Sequence, residues 1–264
     1  MFTLNSKIAY KISTVGVLEP ILWYMDKNIT PWLEDQLQML LSATTKEDLL
    51  DGLARAANLL EFDYFAYGLR LALPVSSPKI ELVNNYPVEW QETYSKNNYL
   101  AIDPTVKIGL KTIKPIVWAE DVFANARPLW DDVNSFGISH GWAQSTYSSG
   151  GVSGMLTLSR SHDALSKLEL LQKTPLLVWF NQLAQAGLKD ILLPEMTEAS
   201  TVKLTARETE IIRWTADGKT AYEISIILGI AERTVNFHLN NILNKFNVNS
   251  KIAATVQAVL LGLI

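Results

Sequence analysis

Three large rings recur every four residues at Tyr86, Trp90 and Tyr94, a spacing that sets them along one face of a short helix. Each joins an apolar body to one polar atom, so the row can wall a pocket for a small amphiphile or fill a core. On spacing alone, an aromatic core stripe is the commoner reading. Downstream, Asp103-Pro104-Thr105, Trp118 and Gly141 complete the set of residues that stand out in the body of the chain.

A second constellation lies near the C-terminus. Asn236 and Asn240 are four residues apart on a helical pattern and therefore share a face. An asparagine amide can pair with two positions on adenine, which makes both candidate base readers. Lys219, Arg233 and Lys245 suit phosphates, which position a protein on DNA without reading its sequence.

Catalysis is poorly supported. The three histidines, His140, His162 and His238, form neither a His-x-His nor a His-Glu-x-x-His spacing, and no Gly-x-Ser-x-Gly elbow occurs. Ser153 precedes Gly154 in what reads as a hairpin. A lactonase or acyl hydrolase is the enzyme alternative, and no catalytic residue, metal or cofactor is expected. With no cysteine there is no disulfide, thiolate metal site or cysteine nucleophile, which fits a reducing cytoplasm.

The elements that must carry these residues follow from hydrophobic periodicity. Helices are expected from Thr30, as N-cap before Pro31, and from Lys46 to Leu60. Strands are expected at Phe62 to Leu69, Ile80 to Val83 and Ile116 to Trp118, and short helices at Pro87 to Tyr94 and Leu129 to Phe136. Gln144 to Tyr147 and Gly154 to Ser159 read as a hairpin, and Ser166 to Gln185 as a long apolar helix. The order implies an α+β fold, an antiparallel sheet covered by helices on both faces.

The tail reads as four helices. Thr205 and Glu208 form a capping box, Gly218 closes the first helix, Thr220 caps the second, and Gly229 makes the turn. A third helix from Ala231 to Phe246 buries Val235, Leu239, Ile242 and Phe246, and Lys251 to Leu261 is a fourth, apolar one. Two short helices joined by a glycine turn are how a helix-turn-helix offers a recognition helix to the major groove. The divisions expected are an extension over 1–24 with Met25 as the native start, a ligand domain over 25–186, a linker over 187–202 and the helix-turn-helix over 203–264.

The string from Leu204 to Thr220, then Glu223-Ile224, then Glu232-Arg233-Thr234-Val235-Asn236-Phe237-His238, resembles the LuxR-type helix-turn-helix almost residue for residue. Ala231 stands where that family usually has Ser, which removes a cap worth about 1 kcal/mol. The body string around Tyr86, Trp90, Tyr94, Tyr99, Asp103, Trp118 and Gly141 resembles the autoinducer-binding domain of quorum-sensing LuxR-type receptors. The resemblance implies an α-β-α sandwich holding an N-acyl-homoserine lactone.

By that resemblance, Trp90 donates to the lactone carbonyl, Asp103 accepts from the ligand amide N–H, and Tyr86 donates to the amide carbonyl. Trp118 stacks on the lactone ring, Tyr94 lines the acyl channel, Gly141 leaves room for the headgroup, and the Thr157 hydroxyl bonds the amide region. Ala66, Gly68 and Thr105 belong to the same site. A buried carboxylate is costly unless paired, and an amide N–H is the partner Asp103 awaits. Gln91 and Met155 stand where a long-chain receptor of the family has Arg and Ala, and the segment from Phe62 to Arg70 resembles short-chain receptors. A short or medium acyl chain is therefore expected.

The resemblance further implies a homodimeric activator that reads a palindromic promoter with RNA polymerase as partner and without a membrane. The alternative is the same architecture answering another small molecule, or none. Composition is compatible: 48% hydrophobic and 19% charged residues with eight Trp describe a folded chain. The net charge of −4 lies upstream, since from Thr201 onward seven Lys/Arg face five Asp/Glu. That weak basicity suits a small tail that alone meets phosphate. No apolar run long enough for a membrane span interrupts the sequence.

Overall fold

The computed structural model describes residues 43, 45–74, 77–148, 150–196 and 202–264. The expected helix capped by Thr30, the 1–24 extension and the Met25 start lie outside these residues. Thr45 opens helix α1 (Lys46–Leu59) by accepting from the Asp48 amide at 3.1 Å, one of the donors every helix start leaves unpaired. Leu49, Leu53, Ala56 and Ala57 form its buried face.

Five strands make one antiparallel sheet: β1 (Tyr64–Leu71), β2 (Lys79–Asn84), β3 (Ile116–Val117), β4 (His140–Ser148) and β5 (Val152–Arg160). Their spatial order is β2-β1-β5-β4-β3. Alternation sorts β1 cleanly, sending Phe65, Tyr67, Leu69 and Leu71 into the core and leaving Tyr64, Ala66, Gly68 and Arg70 half-buried on the other face. Residues 66 and 157 are paired across β1 and β5, and 143 and 157 across β4 and β5, so Thr157 sits at the middle of the sheet.

Helices cover both faces. On one, α1 and the long helix α5 (Lys167–Met196) bury the principal core with Phe62, Leu156, Leu158, Leu177, Phe180 and Leu188. On the other lie α2 (Val88–Lys96), a 3-10 turn (Tyr99–Ala101), α3 (Pro104–Gly109) and α4 (Arg127–Ser135), around a second cluster of Trp90, Tyr99, Phe123, Leu129, Val133 and Ile138. This is an α-β-α sandwich of the expected α+β class.

Two expectations about elements change. The long helix does not stop at Gln185 but runs to Met196, through much of the segment read as a linker. Leu188 and Leu192 are fully buried, and their burial outweighs the roughly 1 kcal/mol that Gly187 costs in a helix. Strand β4 begins at His140 rather than Gln144, because Gly141 to Thr146 are buried on both faces and show no alternation.

The tail is all helical: α6 (Ala206–Ala216), α7 (Ala221–Leu228), α8 (Glu232–Phe246) and α9 (Lys251–Leu260). Both capping boxes form, Thr205 with Glu208 and Thr220 with Glu223. Gly229 takes the left-handed conformation, φ 63°, that turns the chain from α7 into α8. Ala231 caps α8 with no side-chain bond, as its residue type dictates. Among the described residues, no helix is long and apolar enough to cross a membrane.

Candidate functional site

A cavity of about 430 Å³ lies between the sheet and the aromatic side of the domain. The sheet contributes Ala66, Gly68, Met155 and Thr157, all on one face by the two-residue period of β1 and β5. Tyr86, Trp90, Tyr94, Asp103, Thr105 and Trp118 supply the facing wall. Its size falls in the range of small-molecule sites, and its make-up is theirs too, apolar with a few placed polar groups.

Asp103 is the one carboxylate in that lining. It is the N-cap of α3, with Pro104 in the first turn. Oδ1 accepts from the Thr105 amide at 2.8 Å and from the Thr105 hydroxyl at 2.6 Å. Oδ2 accepts from the Tyr94 hydroxyl at 2.9 Å. Burial pushes the Asp103 pKa above the ordinary carboxylate range, against the hydrogen bonds from Thr105 and Tyr94, which lower it. Burial likewise raises Tyr94 and Tyr86, so both remain neutral donors.

The rest of the wall is held by local bonds. Asn84 Oδ1 accepts from the Tyr86 amide at 3.0 Å, and Asn85 Oδ1 accepts from the Phe65 amide at 2.7 Å, which fixes the chain where it leaves β2. Tyr86 and Ser159 hydroxyls are 2.9 Å apart. Gln91 Nε2 donates to the Tyr86 carbonyl at 2.7 Å. Trp90 is almost fully buried, edge-on to Tyr94 with centroids 5.8 Å apart and against Phe136 at 5.4 Å. Trp118 packs edge-on to Phe123 at 5.7 Å, and its indole N–H is buried without a partner among the described residues.

Every residue expected in the ligand site except Gly141 lines this cavity. Gly141 acts one step back. A Cβ built on it would fall 2.3 Å from Trp118 Cδ2, so the glycine makes room for the indole, not for a headgroup directly. Tyr94 and Thr105 line the space but also brace Asp103, a role their spacing did not reveal. Ser159 does not line the cavity itself but bonds the Tyr86 hydroxyl from behind the wall, a bracing role that was missed although it lies two residues beyond Thr157 on the same strand face. Arg70, Ser145 and Tyr147 also border the cavity, and Tyr147 fastens α3 to β4 through the Gly109 carbonyl at 2.7 Å.

In the tail, α8 buries Val235, Leu239, Ile242 and Phe246 and turns the opposite side outward. Arg233 and Asn240 are exposed there, with Thr234 and Asn236 half-buried beside them, and Lys219 is exposed at the start of α7. Lys245 departs from expectation. Its ammonium donates to Glu208 Oε2 at 2.6 Å and to the Lys203 carbonyl at 3.0 Å, so it ties α8 to the capping box of α6 instead of standing free for phosphate. Burial raises the Glu208 pKa, but Lys245 and the Thr205 bonds outweigh it and hold the carboxyl below its usual value. Among the described residues, no group of three or more His, Cys, Asp or Glu is placed to hold a metal ion.

Known proteins share this arrangement. Residues 45–187 match the family described as "Autoinducer binding domain", and residues 202–258 that described as "Bacterial regulatory proteins, luxR family". The "Transcriptional activator protein SolR" of Ralstonia nicotianae is 40% identical over 89% of this chain and 99% of its own length. A crystal structure of Escherichia coli SdiA superposes with TM-score 0.77 at 30% identity, covering 90% of this chain and 99% of that one. SdiA in complex with octanoyl-rac-glycerol gives TM-score 0.74 at 32% identity, over 90% of this chain and 97% of that one. The crystal structure of CepR2 from Burkholderia cenocepacia, an N-acylhomoserine lactone dependent LuxR family factor, gives TM-score 0.58 at 31% identity, over 66% of this chain and 99% of that one.

Proposed function

The chain belongs to the luxR family of bacterial regulatory proteins, with an autoinducer-binding domain ahead of the DNA-binding one, and we propose that its signal is an N-acyl-homoserine lactone. The observation that carries this reading is Asp103, a carboxylate deep in an apolar cavity whose Oδ2 keeps acceptor capacity beyond the Tyr94 bond. A ligand amide N–H is the donor that such an oxygen takes. In the same pose, Tyr86 donates to the amide carbonyl, Trp90 donates to the lactone carbonyl, Trp118 lies against the lactone ring, and Thr157 bonds the amide region. Met155 bounds the acyl chain and favours a short or medium length.

Ligand that binds only the folded form stabilises it by mass action. The liganded chain then acts as a homodimeric activator, its two recognition helices reading half-sites of a palindromic promoter about one helical turn apart, with RNA polymerase as the downstream partner. Arg233 and Lys219 contact phosphates, and Asn236 and Asn240 read adenine.

A second reading is favoured by one relative. A structure of SdiA is in complex with octanoyl-rac-glycerol, which makes an acylated glycerol the second candidate ligand for this cavity. One experiment separates the two. The chain is produced with and without butanoyl, hexanoyl, octanoyl and dodecanoyl homoserine lactones and octanoylglycerol, and soluble yield, melting temperature and duplex binding are compared. A lactone that raises all three supports the main reading. Octanoylglycerol as the only effective compound supports the second, and DNA binding indifferent to every compound excludes both.

A further inference from the structure

Phe237 is an apolar ring held out into solvent, 61% exposed, on the recognition helix. Scattered exposed apolar residues are ordinary, and this one differs by its position. On α8, Val235, Leu239, Ile242 and Phe246 face inward. At 3.6 residues per turn, Phe237 falls on the opposite side, four residues after Arg233 and three before Asn240. The ring is thus flanked by the phosphate-seeking and adenine-reading groups, on the face that leads into the groove. It packs edge-on against His238, with centroids 5.5 Å apart, which limits its freedom before any partner arrives.

The major groove offers one apolar feature to such a ring, the C5-methyl of thymine. We infer that Phe237 reads thymine by seating on this methyl group, so that each half-site contains a thymine recognised by burial of its methyl and not by hydrogen bonds. Asn236 or Asn240 on an adenine and Phe237 on a thymine methyl together specify A·T pairs from two chemically different sides. The inference rests on the reading of α8 as the groove helix, and its test separates the two.

Full-length protein is purified with the lactone that gives the most soluble chain, and its duplex sites are selected from a randomised pool. Each thymine of a selected half-site is then replaced singly by deoxyuridine, which removes only the methyl group. For the wild type, one thymine position is expected to weaken binding about fourfold, the effect of one buried methyl, and about fifteenfold when replaced in both half-sites. Phe237→Ala is expected to bind the thymine and uracil duplexes equally. That ratio is taken within each protein and so is independent of how much of it is folded. A wild type indifferent to every replacement, or a Phe237→Ala protein that keeps the discrimination, overturns the inference while leaving DNA binding by α8 intact. Failure to select any duplex overturns both.

Discussion

Tyr94 donates its hydroxyl to Asp103 Oδ2 at 2.9 Å, so the ring that lines the cavity also aims the cavity's one carboxylate. The other oxygen is taken up by the Thr105 amide and hydroxyl. Asp103 is therefore oriented before a ligand arrives, and the orientation cost is met within the fold. Loss of the carboxylate charge in Asp103→Asn should weaken lactone binding on the order of ten- to a hundredfold, the range for a hydrogen bond to a charged group. Titration calorimetry on the two proteins measures it.

Binding should also depend on pH through this residue. Because burial raises the Asp103 pKa, the folded chain binds its proton at higher pH than the unfolded chain does. The stability this contributes is complete below the ordinary carboxylate pKa and is lost as pH rises through the raised one. An amide donor prefers the ionised form. Lactone affinity should therefore fall as pH drops below the raised pKa, by up to about tenfold per pH unit. Asp103→Asn should show a flat profile across the same range.

Gly141→Ala tests the packing behind the headgroup wall. The added Cβ would lie 2.3 Å from Cδ2 and 2.5 Å from Cε2 of Trp118. The indole must move, at a cost typical of overpacking, about 1–3 kcal/mol. A lower melting temperature with a diminished lactone-induced shift is expected, and an unchanged shift would remove Trp118 from the site.

Met155→Ala tests the acyl boundary. The Met155 sulfur lies close behind Gly109, so the thioether fills the space where α3 meets β5. Shortening it should move the preference toward longer chains, with affinity rising about fourfold per added methylene until the space is filled. Competition binding across a series of lactones reads this directly.

Lys245→Met distinguishes a brace from a phosphate contact. Glu208 is 3% exposed and would lose its ammonium partner, so the tail should be destabilised by about 1–3 kcal/mol at neutral pH. The Glu208 pKa is depressed, so its contribution is present above the ordinary carboxylate pKa and is lost as pH falls through the depressed one. The difference between variant and wild type should therefore shrink in acid. The salt dependence of DNA binding should stay unchanged in Lys245→Met, whereas Arg233→Ala should lower its slope by about one.

What could be read from the sequence was what local chemistry determines. Thr205 with Glu208, Thr220 with Glu223, and Gly229 are signals complete within a few residues, and the tail's helices begin and turn where they indicate. The four-residue spacing placed Trp90 and Tyr94 on one face of α2, but Tyr86 precedes the helix, ahead of its Pro87 N-cap, and reaches the same wall from the chain leaving β2. The roles that escaped depend on residues far apart in the chain. Trp118 meets Gly141 across the β3–β4 pairing, and Lys245 meets Glu208 across the helical tail. Asp103 comes to Tyr94 only because the chain turns through Asn98, at φ 50°, and a 3-10 turn, which periodicity does not announce. The continuation of α5 past Gly187 was likewise hidden, since the burial of Leu188 and Leu192 against the main core is a tertiary effect.

The most direct test of the proposed signal is calorimetric titration of butanoyl, hexanoyl and octanoyl homoserine lactones into the wild-type chain and into Trp90→Phe and Asp103→Asn. Saturable binding of one lactone per chain is expected, weakened at least about tenfold by either substitution. No saturable binding by the wild type, or equal affinity in all three proteins, would contradict a lactone held by Trp90 and Asp103.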